Sequence, residues 1–466
     1  MNIPFDWVAA GPATIVTAGA ILGLMVDAFL PRRSWLGSAV PTLLGVFAAG
    51  AELMRSGSTD EIAFGFSLIV IVGTALVLVA SVAMNHESSM PPGEFHLLLG
   101  SAAAGGLVMA SARDLVTLVV AIELLALPSI ALVGLRQGDR RAIASSWTFF
   151  LTSVVSTAVT LMGIALLYGA TGTLSYSGLN RGLDDPPVPA VVVSVGVVLT
   201  IVGLLFKLGA VPFHVWVPDV YRGASVMVAA FLASVSKAAA LGALLVLLAL
   251  GLAPASDAWQ PVIAVVAAVS MTIGNLGALR QRDGVAMLAW SSVAQAGFLI
   301  APAAAIFTAS GLSAPLQYLA IYALANITGF AALAVVLRMR GSTSYDELSG
   351  LARTNPWLGL PLAFAALTLA GFPPAVAGLV AKYVILRPVV DGGVEWLAVV
   401  MAINVMLGLA YYLRLVVVVV GRPTGEPYKS PTTPRSVRLA TAVAVTGTLG
   451  LVALSAWPNL LIVNLP

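Results

Sequence analysis

The 466-residue chain predicts an all-α integral membrane protein of about fourteen transmembrane helices, with two inverted five-helix repeats over helices 4–8 and 9–13 and breaks in helices 7 and 12. Three observations lead there. Hydrophobic residues make up 59% of the chain and charged residues 9%, with mean hydropathy +1.01, a composition that no soluble domain with a polar surface carries. About fourteen stretches are long enough to cross a ~30 Å hydrocarbon core as helices. Two of them, each fourth in a run of five, are interrupted by glycine and proline. An odd number of spans per unit makes the two units run in opposite directions; ordinary proline kinks are the simpler alternative.

The first span, 8–30, is full length, and Met1 to Trp7 lacks a basic region, so it reads as a retained span rather than a cleaved signal. Asp27, one turn from Arg32 and Arg33, is most simply a salt bridge at the membrane edge. Spans 35–52 and 96–112 are short and flank a stronger one at 62–84, while 114–135 and 141–169 follow as helices 5 and 6. Helix 7, 188–213, carries Lys207 and the string Gly209-Ala210-Val211-Pro212; helix 8, 224–250, carries Lys237. Spans 259–281, 285–305 and 313–338 lead to 356–386, which must be broken or tilted at Gly371-Phe372-Pro373-Pro374. Spans 393–421 and 436–461 complete the set. The longest polar stretches are each under about twenty residues, so residues 1–466 read as one polytopic domain. It divides into N-terminal helices (1–95), a first repeat (96–250), a second repeat (259–421) and a C-terminal helix (436–466).

With the N-terminus outside, the cytoplasmic loops hold fifteen arginines and lysines and the opposite loops four, Arg55, Arg113, Arg181 and Arg387. The positive-inside rule then places both termini on the non-cytoplasmic side. The net charge of +3 follows from this topology and says nothing of nucleic acid. There is no cysteine, which excludes disulfides, thiolate chemistry and iron–sulfur ligation, and His86, His96 and His214 are too scattered to suggest a metal cluster.

Only four basic residues are lysine, and three of them, Lys207, Lys237 and Lys382, lie inside or at the break of apolar segments. Arginine stays protonated almost anywhere, whereas a desolvated lysine can lose its proton near neutral pH, so an intramembrane lysine is a functional candidate. Glu123 sits about nine residues into helix 5, roughly 14 Å from its start. It is either a relay carboxylate or a protonated acid hydrogen-bonded within the bundle. Lys207 adjoins the helix 7 break, where free carbonyls can hold an ammonium and water. Lys237 lies too deep to snorkel easily, while snorkelling to an interface is an alternative for Lys382. One carboxylate and three lysines make a proton relay: burial and mutual repulsion favour the neutral amine, a nearby carboxylate the ammonium. Ser234, Ser236, Ser291, Ser292, Gln295, Tyr318, Tyr322 and Asn326 are candidate water-wire positions, with helix glue as the alternative. The last three share one helical face. His214 and Asp219, in the loop His214-Val215-Trp216-Val217-Pro218-Asp219-Val220-Tyr221-Arg222-Gly223, form either a proton entry or a rigid turn.

Phe206-Lys207, Pro212-Phe213-His214, Trp216, Pro218-Asp219-Val220-Tyr221, Gly223-Ala224, Ala230-Phe231-Leu232 and Ser236-Lys237 together resemble the NuoN-type subunits of respiratory complex I, which belong with the antiporter-like subunits related to Mrp sodium/proton antiporters. The likeness includes Glu123-Leu124 with Pro128, Leu288-Ala289-Trp290-Ser291-Ser292 with Gln295 and Gly297, and Gly371-Phe372-Pro373-Pro374 with Gly378 and Lys382-Tyr383. It covers roughly residues 95–390. The resemblance implies a fourteen-helix inverted-repeat fold, Glu123 and Lys207 as a modulating pair, Lys237 as central relay and Lys382 as the lysine of the second half. Two departures concern local packing: Val285-Ala286 stands where the family often has a lysine–arginine pair, and Ser225 where it usually has proline.

The expectation is therefore a proton-translocating, non-redox subunit of an NADH:quinone oxidoreductase in an energy-transducing membrane, the bacterial plasma membrane. It would hold no cofactor or metal of its own, and its partners would be an antiporter-like neighbour, a small NuoK-type neighbour and lipids. The rivals are an Mrp-type Na⁺/H⁺ antiporter subunit and a structural spacer that has lost transport.

Overall fold

The computed structural model describes residues 7–29, 35–56, 60–82, 90–184, 188–423 and 435–456; Arg32, Arg33, His86 and Lys429 lie outside them. Among the described residues twelve helices are long and apolar enough to cross a membrane, and two further apolar helices, Pro356–Ala370 and Arg438–Leu454, are shorter.

The chain opens with α1 (Trp7–Phe29), α2 (Trp35–Ser56), α3 (Glu61–Ser81) and α4 (Pro92–Ser111). Both stretches that look short in sequence are full-length helices, because their polar ends are helical too. The last turn of α2 holds the Glu52–Arg55 ion pair, and α4 begins on Pro92, whose missing N–H costs nothing at a helix start. Next come α5 (Leu115–Gly134), the long α6 (Arg140–Thr171), a short α7 (Tyr176–Gly182) and α8 (Ala190–Leu208). The middle of the chain is α9 (Trp216–Gly223), α10 (Val226–Val246), α11 (Ser256–Leu279), α12 (Gly284–Ile300) and α13 (Ser313–Arg340). Two single turns, α14 (Tyr345–Leu348) and α15 (Leu351–Thr354), lead to α16 (Pro356–Ala370), α17 (Val376–Asp391), α18 (Glu395–Val420) and α19 (Arg435–Ala456).

Both expected breaks are present, and helix 7 ends earlier than its hydropathy suggests, at Leu208 rather than 213. The cause is backbone geometry. Gly209 and Gly371 adopt left-handed φ values of 71° and 72°, which an L side chain resists. A cis Val211–Pro212 bond follows the first and a cis Pro373–Pro374 bond the second. Gly371 also donates its N–H to the Leu367 and Thr368 carbonyls, closing α16, so span 356–386 is two helices.

A second device recurs. Asp114 accepts from the Val116 and Thr117 N–H groups and caps α5, Leu115 donates to the Leu174 carbonyl at 2.9 Å, and Tyr176 donates to the Arg113 carbonyl at 2.9 Å. Further along, Asp283 caps α12 through the Ala286 N–H, Gly284 donates to the Thr343 carbonyl at 2.8 Å, and Tyr345 donates to the Arg282 carbonyl at 2.9 Å. Each residue of the second set follows its counterpart by the same interval, and the left-handed glycines Gly172 and Gly341, which end α6 and α13, keep that interval too. In each case the tyrosine ring is buried beside the capping aspartate. Burial raises the Tyr176 phenol, with Asp114 adding to it and Arg113 opposing. Burial likewise pushes Tyr345 up to about 12, against Arg414 and with Asp283, so both phenols stay neutral.

By packing, the chain forms two compact units, Met1–Leu78 with Ser88–Lys207 and Val235–Ala258, and Val79–Glu87 with Leu208–Ser234 and Trp259–Pro466. In the first unit, small residues let helices approach backbone to backbone. A methyl group on Gly19 would lie 2.7 Å from the Gly45 Cα, one on Gly105 2.5 Å from the Leu125 nitrogen, and one on Gly163 2.3 Å from the Thr200 nitrogen. Arg113 pairs with Asp60 at the edge of this unit. In the second unit α12 and α13 are buried along most of their length, and Gly378 of α17 packs directly on the Thr368 carbonyl of α16.

Candidate functional site

In the first unit Glu123 lies midway along α5, and its carboxylate is held by α6, where the Thr157 hydroxyl donates to Oε1 at 2.5 Å. Lys207, the penultimate residue of α8, is buried, with its ammonium 5.4 Å from the centre of the Phe149 ring and 5.6 Å from that of Phe206. A desolvated ammonium on aromatic faces gains about 2 kcal/mol or somewhat more, far less than hydration gives it. Glu123 is within electrostatic reach of Lys207, yet the two are not among the ion pairs of the described residues. The carboxylate is therefore seated on α6 and not on the lysine. α6 and α8 are joined directly by the Gly203 N–H, which donates to the Thr160 hydroxyl at 2.8 Å one turn before Lys207. Lys237 and Ser236 are buried on α10, which packs onto α3 and α4, with Phe66 against Gly242 and Ala239 facing Gly106.

In the second unit Lys382 occupies α17. Its aliphatic stem lies across Gly371, and its ammonium sits 4.5 Å above the Phe298 ring. In the same unit, α12 and α13 bring four of the expected water-wire residues together. Ser292 accepts from Tyr322 at 3.2 Å and contacts Tyr221 of α9 at 3.4 Å, and Tyr318 donates to the Gln295 side-chain oxygen. Asn326 donates to the Tyr322 carbonyl at 3.0 Å. His214 packs on Trp290 at 5.9 Å, and Asp219 lies in the first turn of α9.

Several participants escape sequence reasoning. Tyr412 of α18 bonds to Ser291 and accepts from the Gln295 amide at 3.1 Å. Its neighbour Tyr411, with ring centres 4.4 Å apart, donates to the Asn275 side chain at 3.0 Å, and Asn275 in turn donates to Asn404 at 2.9 Å. Tyr318, Gln295, Tyr412, Ser291, Tyr411, Asn275 and Asn404 thus form a buried polar seam through α11, α12, α13 and α18. The signal that could have found them is the cluster of amides and phenols inside apolar runs, which are costly in lipid unless they bond to each other.

Residues 112–408 match the family model described as NADH:quinone oxidoreductase/Mrp antiporter, TM. The chain belongs to this family. All four relay candidates fall within the matched segment. Among relatives, the chain is similar to NADH-quinone oxidoreductase subunit N 2 of Streptomyces griseus, at 39% identity over 96% of this chain and 91% of that one. A chain of respiratory complex I from Thermus thermophilus with bound aureothin superposes with TM-score 0.78 and 30% identity, covering 96% of this chain and 98% of that one. A chain of the Mrp complex from a Dietzia species shares the fold, with TM-score 0.82 at 22% identity over 98% and 96% of the two chains.

Proposed function

We propose that this chain is a proton-translocating membrane-arm subunit of a complex I-type NADH:quinone oxidoreductase, and that Glu123, Lys207, Lys237 and Lys382 are its relay. One observation carries the reading: a carboxylate and a buried lysine lie within electrostatic reach but apart, each on a different helix, with the lysine two residues before a helix break. A Glu123 that swings to Lys207 stabilises the ammonium; a Glu123 that stays on Thr157 leaves the charge on aromatic faces, which favours release of the proton toward Lys237. Lys382 lies against the glycine of the second break. The recurring aspartate caps and glycine breaks support two five-helix repeats, inverted in the membrane. Redox chemistry belongs to other subunits in this reading, and no cofactor is bound here. Both termini face the non-cytoplasmic side of the bacterial plasma membrane. The partners are an antiporter-like subunit, a NuoK-type subunit and lipids, against the exposed apolar faces of α5 and α6 among others.

The test is Lys207→Arg in the assembled complex. Arginine keeps the charge but does not give up its proton. Assembly and quinone reduction should persist while proton pumping into membrane vesicles is impaired. Pumping equal to that of wild type would show a fixed charge only, and Na⁺/H⁺ exchange without any redox partner would favour the Mrp-type reading.

A further inference from the structure

Glu123 and Lys207 each touch α6, at positions separated by two helical turns. Thr157 holds the Glu123 carboxylate, and Phe149 forms the wall beside the Lys207 ammonium. Residues 149, 153 and 157 are spaced by one turn each and share a face, so Ser153 stands midway along roughly 12 Å of helix. Ser153 and Ser156 are buried, at 2% and 4% exposure, and the hydroxyl oxygens of both have no hydrogen-bond partner among the described residues. That is unusual. The nearby threonine hydroxyls of α6 are engaged: Thr148 and Thr152 bond back to carbonyls one turn earlier, and Thr160 accepts from Gly203. Two free hydroxyls in a buried seam, between a carboxylate and an amine, are placed to receive water or a proton rather than to join helices.

We infer that Ser153 and Ser156 of α6, with water, carry the proton between Glu123 and Lys207, and that Thr157 is the positioning residue that aims Glu123 at this path. The inference rests on the relay reading above. In the forward step protonated Glu123 gives its proton to the chain of hydroxyl and water oxygens. Each oxygen accepts one proton and releases its own to the next, and the neutral Lys207 amine takes the last. The products are a carboxylate and an ammonium, with no net change in any hydroxyl. Lys207 then passes its proton on toward Lys237, and the hydroxyls turn back to accept the next.

The experiment compares Ser153→Ala/Ser156→Ala, Thr157→Val, Thr157→Ser and Lys207→Arg in the assembled complex. It reads protons pumped per quinone reduced in membrane vesicles, together with the infrared carboxyl band assigned by Glu123→Gln. The double alanine variant should pump roughly tenfold more slowly, below the ~100-fold attached to a fully lost proton group because water substitutes in part. Thr157→Val should shift the Glu123 carboxyl band and slow pumping, and Thr157→Ser, which restores the hydroxyl, should recover both. A merely structural threonine would shift the band, since the bond to Glu123 is lost, without slowing pumping. Wild-type pumping by the serine variant while Lys207→Arg is impaired overturns this inference alone; wild-type pumping by both overturns the relay itself. Should the double variant fail to assemble, the nearly isosteric Thr157→Val decides through pumping: a shifted band with pumping equal to wild type overturns the path.

Discussion

The side chain of Lys382 lies directly against Gly371: a methyl group at position 371 would come within 2.7 Å of the lysine Cδ and 2.9 Å of its Cε. The left-handed glycine that ends α16 is therefore also the floor on which the second-half lysine rests. Gly371→Ala meets two penalties, an unfavourable φ of 72° and a collision with the Lys382 side chain. We expect a loss of about 1–2 kcal/mol from the backbone alone, and a fall in pumping beyond it because Lys382 must move. Thermal inactivation of the complex alongside pumping separates the two effects.

Lys382→Met should leave assembly intact, since the stem across Gly371 and the contact with the Phe298 ring are kept by an unbranched apolar side chain. It removes the titratable amine at this break. Quinone reduction with pumping lost supports a relay role; pumping retained in the purified, assembled variant removes Lys382 from it.

Tyr412→Phe strands two groups at once, the Ser291 hydroxyl and the Gln295 amide. Leaving buried polar groups unsatisfied costs roughly 1–3 kcal/mol. The paired variant Tyr412→Phe/Ser291→Ala should be less destabilised than the sum of its parts, because removing both partners of one bond leaves fewer stranded atoms. Strict additivity in a double-mutant cycle of thermal stability would show that the seam is not a coupled network.

The two aspartate caps should behave alike. Asp114→Ala removes acceptors for two α5 N–H groups and the Thr117 hydroxyl, and Asp283→Ala removes those for the Ala286 N–H and the Thr343 hydroxyl. Each should cost about 1–2 kcal/mol of stability, with pumping per quinone reduced unchanged in whatever complex assembles. A pumping defect without a stability loss would assign the aspartate to transport instead.

Both aspartate devices leave their mark in the amino-acid sequence. Arg113-Asp114 and Gly172-Thr173-Leu174-Ser175-Tyr176 return as Arg282-Asp283 and Gly341-Ser342-Thr343-Ser344-Tyr345 at one constant interval. That match is a firmer mark of internal duplication than the proline breaks, because an N-cap needs a short side-chain acceptor and a left-handed cap needs glycine.

What the sequence determines by itself is whatever lipid makes expensive. A helix must be apolar along its length, a break must show glycine or proline, and a charge inside must have a use, so the spans, the Gly209 and Gly371 breaks and the four relay candidates can all be read in one dimension. Tertiary structure alone decides which hydroxyls matter. Thr152 and Thr157 are the same residue type five positions apart on α6, yet Thr152 bonds to its own helix at Thr148 while Thr157 reaches across to Glu123. Ser129 likewise satisfies itself on Leu125, whereas Ser153 has no such bond. A serine or threonine in a membrane helix always has a carbonyl one turn back to fall upon. Whether it turns away depends on what the neighbouring helix presents, and the neighbour is chosen by packing between segments far apart in the chain.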